Sequence, residues 1–308
     1  MILDKYTMIM RLIQGFLMAL ADSVPGVSGG TVAFILGFYE KFIGSLNDLM
    51  ATSKEKRKEA IRFLFQLGIG WGVGMVLAML FITTVFERNI YEISSLFIGF
   101  IVFAIPVIIK QEKDCMKDKY LYLIFTLLGG ILVILITYFS GTSLYPNGVD
   151  LSFGKFSPVT GVFIFIAGLI AVSAMVLPGI SGSTILMIFG LYVPITMAIK
   201  DVLHFKLEYV PALILFGLGV IFGALSIVKL VKKAMDKFRS QTVYCVIGLM
   251  IGSIYSITMG PTTLEVPKAV LGVKEFKVIF FLLGGVVILG LEVLKRQTEK
   301  KQEKVNES

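Results

Sequence analysis

The sequence predicts an all-α polytopic membrane protein built of two inverted-topology repeats. Each repeat is a re-entrant helical hairpin plus three transmembrane helices, and both termini are cytoplasmic. Three observations predict it. Of 308 residues, 56% are hydrophobic and only 16% charged, against about a quarter charged in a soluble domain. Apolar runs recur from end to end, long enough to cross a hydrocarbon core of roughly 30 Å. One half of the chain also repeats in the other.

Four anchors carry the repeat, in the same order in both halves. Val24-Pro25-Gly26-Val27-Ser28-Gly29-Gly30-Thr31 recurs as Leu177-Pro178-Gly179-Ile180-Ser181-Gly182-Ser183-Thr184, and Gly37-Phe38-Tyr39 as Gly190-Leu191-Tyr192. Gly68 and Gly72 match Gly219 and Gly223, and Phe97-Ile98-Gly99 matches Val246-Ile247-Gly248. Leu127-Leu128-Gly129-Gly130 matches Leu282-Leu283-Gly284-Gly285. One such match among apolar segments is coincidence; four in order indicate duplication.

The first half therefore reads as a short helix at 8–22, the Pro-Gly-Ser-Gly break, a second helix at 31–49, and long apolar segments at 61–86, 91–110 and 119–140. Its counterparts lie at 158–176, 184–200, 209–231, 241–260 and 276–294. The chain is a single transmembrane domain, 1–308, with repeat 1 at 1–143 and repeat 2 at 158–308. A linker at 144–157 falls in a Gly/Pro/Asn-bearing stretch. The Lys-rich tail after Leu294 reads as a solvated, disordered end.

Basic residues set the orientation. Lys54, Lys56, Arg57, Lys58 and Arg62 crowd one loop, Lys110, Lys113, Lys117 and Lys119 a second, and Lys229, Lys232, Lys233, Lys237 and Arg239 a third. With these loops in the cytoplasm every segment parity closes. Three spans plus a hairpin reverse the side on which each half begins, so the halves sit upside down relative to each other, an arrangement suited to alternating access. The shortness of the first helix, and Glu40-Lys41 interrupting the helix after the break, favour hairpins that turn back midway. Such backbone is tolerated at membrane depth only when buried in protein or lining a wet cavity.

The two breaks have anion-binding chemistry. Pro25-Gly26 and Pro178-Gly179 end one helix. Ser28, Gly29, Gly30 and Thr31, and likewise Ser181, Gly182, Ser183 and Thr184, open the next. Glycine brings backbone N–H groups close to a ligand, Ser and Thr add hydroxyls, and a helix N-terminus offers unsatisfied amides. A plain kink in packed helices is the other reading. Asp22, Glu40 and Arg11 are ionisable groups within apolar segments, where such groups usually have a function. Arg11 is a candidate for the anion, Asp22 and Glu40 for ion coupling, while an interfacial, snorkelling placement also suits Arg11 and Glu40. Trp71 reads as core.

Several function classes are excluded. The single histidine, His204, cannot support histidine-based metal, haem or phosphatase sites, and Cys115 and Cys245 lack ligand spacing, so no cofactor or metal is expected. The net charge of +8 encodes topology rather than nucleic-acid binding. No removable signal peptide is recognisable at the N-terminus.

Gly15 to Glu40, with Asp22, Pro25-Gly26-Val27-Ser28-Gly29-Gly30-Thr31 and Gly37-Phe38-Tyr39-Glu40, resembles the DUF368 family, and the second break with Gly190-Leu191-Tyr192 resembles that family's second signature. The resemblance covers nearly the whole chain. It implies a polyprenyl-phosphate translocase of the cytoplasmic membrane, returning undecaprenyl phosphate from the outer to the inner leaflet for envelope synthesis. Inward return of a monoester carrying roughly −1.5 to −2 charges is opposed by about 3.5 to 4.6 kcal/mol per 100 mV. Coupling to protons or another cation is therefore expected, with Asp22 or Glu40 as carrier. A transporter or channel for a small soluble anion is the alternative, and a membrane-embedded phosphatase a weaker one, for want of a nucleophile with an acid/base partner.

Overall fold

A computed structural model of the chain describes residues 2–23, 27–78, 88–140, 149–152, 157–264 and 266–306. Among them every regular element is helical. The first half holds α1 (Ile2–Asp22), α2 (Gly29–Ile35), α3 (Tyr39–Asp48), α4 (Lys54–Leu77), α5 (Ile90–Gln111), the single turn α6 (Lys113–Met116) and α7 (Leu123–Ser140). The second holds α8 (Pro158–Val176), α9 (Gly182–Ile188), α10 (Tyr192–Leu203), α11 (Val210–Lys237), α12 (Arg239–Met259) and α13 (Val278–Asn306). Six helices among the described residues are long and apolar enough to cross a membrane, or seven if the bent pair α9–α10 counts as one. The chain is a polytopic membrane protein.

Local sequence explains where the helices start and stop. Ser157 accepts from the Thr160 amide at 3.2 Å with Pro158 in the first turn of α8, which satisfies one orphan donor and presets the first helical φ. The single helices expected at 31–49 and 184–200 are each two helices. Gly37 and Gly190 adopt left-handed φ values of 70° and 66°. The Phe38 amide bonds back to the Ala33 carbonyl, and Leu191 to Leu186, at 3.0 and 2.9 Å. This is a Schellman stop, and it bends α9 against α10 by 107°. The Lys-rich tail also differs from expectation, because α13 stays helical through Asn306. Helix α8 spans the expected 158–176, and at 19 residues it passes by itself as a candidate span.

Four helix pairs build the core: α1 with α4, α8 with α11, α5 with α13, and α7 with α12. Each pair is parallel, as its successive contacts show. Along α1 and α4, Arg11 meets Gln66, Gly70 meets Leu12, and Ser23 meets Met75. Along α8 and α11, Gly219 meets Phe165 and Gly223 meets Leu169. Gly99 and Gly284 hold α5 against α13, and Gly129 and Gly248 hold α7 against α12. A β-carbon at any of these glycines would collide with a facing carbonyl oxygen, so small residues here set the interhelical distance. Gly70 and Gly74, not Gly68 and Gly72, occupy the positions equivalent to Gly219 and Gly223; Gly68 and Gly72 face open space. The alignment in this segment is therefore two residues off, because glycines alternate through α4 and only one of the two sets touches α1.

Helix α12 is mostly buried and α7 and α11 mostly exposed, so α12 lies central and the others present apolar faces outward. The basic ends of both halves meet. Arg239 Nη2 lies 2.7 Å from Glu40 Oε1 and 2.7 Å from Glu112 Oε1, while Lys232 lies 3.7 Å from Asp48. Burial pushes the Glu112 carboxyl up, but hydrogen bonds from Arg239 and the Cys115 thiol, with the charge of Arg239, outweigh it and hold the group below the usual carboxylate range. The Lys232–Asp48 pair puts the end of α3 beside the end of α11, and Arg239 ties the starts of α3 and α12 to the end of α5.

Candidate functional site

The first break is built around Asp22 at the end of α1. Its carboxylate accepts from the Gly29 amide at 2.6 Å and from Trp71 Nε1 at 2.9 Å. One oxygen thus serves an orphan amide of α2, and the other ties the break to α4. Ser28 caps α2 by accepting from the Thr31 amide at 3.2 Å. A β-carbon on Gly29 would press against the Asp22 carboxylate, 2.8 Å away.

The second break lies directly against the first. The Gly179 amide donates to Thr31 Oγ1 at 2.8 Å, Ser28 Oγ donates to the Leu177 carbonyl at 3.3 Å, and Tyr39 Oη donates to the Val176 carbonyl at 3.1 Å. The last carbonyls of α8, which have no partner within their own helix, are thus satisfied by hydroxyls from the other half. Gly30 permits this approach, since a β-carbon there would sit 2.8 Å from the Val176 oxygen. Gly179 has φ +92° and lies against the Leu249 carbonyl of α12. The Gly29 and Gly179 amides, which the sequence offered to a ligand, here donate to the side chains of Asp22 and Thr31, and Gly30 lets the two backbones approach.

The two breaks differ in what remains open. Residues 27–33 of the first are buried. In the second, Ser181 Oγ and Ser183 Oγ are 2.7 Å apart, Ser181 makes no capping bond to its helix, and Gly182, Ser183 and Thr184 are half-buried. A cluster of three hydroxyls and adjacent backbone, next to a closed polar junction, can donate hydrogen bonds to an oxyanion.

Of the residues singled out from sequence, Asp22, Ser28, Gly29, Gly30, Thr31, Pro178 and Gly179 meet at this junction, and Ser181, Gly182, Ser183 and Thr184 continue from it. Pro25 and Gly26 lie outside the described residues. Arg11 is elsewhere: it is three turns down α1, where Nη1 donates to Gln66 Oε1 at 2.7 Å. Glu40 is also elsewhere, in the ion pair with Arg239. Trp71, expected as core, does pack against it, yet its indole N–H holds Asp22. Tyr39 and Trp71 escaped sequence reasoning as site residues; an aromatic with a polar tip inside a membrane segment was the available signal. No group of three or more metal-ligating side chains occurs among the described residues.

A profile of the undecaprenyl phosphate translocase-like family (VCA0040-like) matches residues 18–275, which takes in both breaks and all six of the long apolar helices in full, as well as α1 from Met18 onward. The chain belongs to this family. A polyprenyl-phosphate transporter of Vibrio cholerae is 30% identical over 263 residues, 82% of this chain and 78% of that protein. A polyprenyl-phosphate transporter of Staphylococcus aureus is 30% identical over 297 residues, 94% of this chain and 98% of that protein. These family and protein names denote transporters, not enzymes. No solved structure matches the chain.

Proposed function

We propose that this family member is a polyprenyl-phosphate transporter of the cytoplasmic membrane, returning undecaprenyl phosphate or a similar carrier from the outer to the inner leaflet. The observation that carries the reading is the junction of the two breaks, where Thr31 Oγ1 accepts from the Gly179 amide. The names of the two relatives supply the substrate class. The headgroup binds at the open side of this junction, against Ser181, Gly182, Ser183 and Thr184, with Ser28, Gly29, Gly30 and Thr31 as the opposing wall. The isoprenoid tail stays in the bilayer.

Helix directions support an inverted, re-entrant arrangement. Helix α1 runs parallel to α4 and α8 parallel to α11, while the Lys232–Asp48 pair sets the end of α3, six residues before the basic start of α4, beside the basic end of α11. The two hairpins then enter from opposite sides and meet tip to tip. With the basic ends in the cytoplasm, the first hairpin enters from inside and the second from outside. Asp22 or Glu40 carries the compensating cation, and Asp22 stands at the junction itself.

The test is a leaflet assay on purified protein in liposomes, using labelled polyprenyl phosphate. Wild-type protein is expected to move the label between leaflets, and the Ser181→Ala/Ser183→Ala variant to slow it by about tenfold or more, the loss of two hydrogen bonds to a charged group. Chloride or phosphate flux without lipid movement would replace this reading with the soluble-anion one. Release of phosphate from polyprenyl pyrophosphate would replace it with an enzyme.

A further inference from the structure

We propose that Thr137 is a further substrate-binding residue, a hydroxyl donor that holds the lipid phosphate between α7, α9 and α12 on the outer side of the break junction. This rests on the transport reading and its orientation, and adds a residue to it. Thr137 Oγ1 is the one buried side-chain oxygen or nitrogen among the described residues that has no hydrogen-bond partner. The residue itself is 7% exposed. Elsewhere on the apolar helices, Ser95, Ser173 and Ser253 donate to the carbonyls of Tyr91, Leu169 and Met250 in their own helices. Thr126, about three turns earlier on α7, donates across to the Tyr244 carbonyl of α12. Thr137 does neither. A buried hydroxyl without a partner costs free energy, so this one calls for an acceptor that arrives with a ligand.

Helix register shows what Thr137 faces. Val133, one turn earlier and so on the same face of α7, packs in one cluster with Ile180 and Ile185 of the second hairpin and Leu249 of α12. Its β-carbon is 2.9 Å from where a β-carbon on Gly252 would stand. Because α7 and α12 run parallel, one more turn on each sets Thr137 level with Ser256, a second buried hydroxyl. Helix α9 packs on α7, and its start carries the Ser181–Ser183 pair. The repeat adds an independent argument. With Leu127–Gly130 matched to Leu282–Gly285, Thr137 corresponds to Glu292 of α13. Glu292 accepts from Gln111 of α5 at 2.9 Å, so there the position ties two helices together, whereas in α7 its polar atom is left for something else. A hydroxyl donates readily to a phosphate oxygen and, being uncharged, can release the headgroup toward Ser181 and Ser183. Ile134, Leu135, Tyr138 and Phe139 are exposed on the same stretch of α7 and give an isoprenoid tail an apolar surface, which favours a lipid over free phosphate.

The experiment is the leaflet assay on the full chain in liposomes, run over a range of labelled polyprenyl phosphate densities, with thermal unfolding of the same preparations. Thr137→Val keeps nearly the shape of threonine and removes the hydroxyl. It is expected to raise the lipid density at half-maximal rate by about tenfold, the loss of one hydrogen bond to a charged group. Its melting temperature is expected to stay at or above that of wild-type protein, since an unpaired polar atom has been removed. Thr137→Ser keeps the hydroxyl and is expected to retain the wild-type density dependence. A valine variant that matches wild type while wild-type protein moves the lipid overturns the assignment and leaves the transport reading standing; the hydroxyl then holds a buried water. Equal slowing in both variants with lowered melting temperatures overturns it in favour of a packing role. Excess inorganic phosphate that slows wild-type protein and not the valine variant overturns the lipid assignment. Wild-type protein that moves no polyprenyl phosphate overturns the transport reading itself.

Discussion

Gly179→Ala is expected to remove transport and to destabilise the protein by about 2–6 kcal/mol, because backbone strain and overpacking each cost roughly 1–3 kcal/mol. Gly179 has φ +92°, a conformation that L side chains rarely adopt, and a β-carbon there would meet the Leu249 oxygen at 2.5 Å. The backbone cannot turn to relieve the clash without withdrawing the amide that Thr31 accepts. The strain therefore falls on the contact that joins the two halves. Thermal unfolding and the leaflet assay, run on the same preparation, check both parts. Gly217→Ala is the control, since Gly217 sits in α11 with open space around its missing β-carbon and alanine favours the helix.

Asp22→Asn is expected to have the next largest effect. Two donors converge on the Asp22 carboxylate, from Gly29 and Trp71. Asparagine keeps one acceptor oxygen and turns an N–H₂ toward the other donor, at a cost of about 1.5–3 kcal/mol for the lost charged hydrogen bond. An anchoring role alone predicts a slower transporter that still responds to pH and voltage. A carrier role predicts that the response disappears with the charge. Trp71→Phe separates the two, since it removes one donor and leaves the carboxylate titratable. The expected result is that Asp22→Asn flattens the pH profile of leaflet exchange and Trp71→Phe retains it. If Asp22→Asn combined with Glu40→Gln leaves rate, pH dependence and voltage dependence unaltered, neither carboxylate carries the coupling ion.

Much of the scaffold was legible because membrane folding leaves strong marks in one dimension. Apolar length gave the spans, and a repeated Pro-Gly-Ser-Gly segment marked both breaks before any geometry was known. What stayed hidden depended on which face a residue presents. Alternating glycines in α4 gave no way to tell Gly70 and Gly74, which touch α1, from Gly68 and Gly72, which do not. Gly37 and Gly190 were visible as matching residues, but a left-handed stop that divides each helix depends on bonds to Ala33 and Leu186.

The same holds at the site. The sequence assigned amide donors to a ligand, whereas the Gly29 and Gly179 amides are held by Asp22 and Thr31. An N–H group carries no sign of its partner when that partner is a side chain seven residues back or in the other half. Glu40 looked like a neighbour of the break, yet its ion pair is with Arg239, remote in sequence and near only through the packing of α3 on α11.

Photolabelling tests the central claim most directly. A polyprenyl phosphate with a photoreactive group on its first isoprene unit would be bound to the wild-type transporter, irradiated, and its adducts located by mass spectrometry. The account predicts labelling on segments 27–31 and 177–184, lost when the phosphate is replaced by a hydroxyl. Labelling confined to the basic loops, or equal labelling by the neutral alcohol, would contradict it.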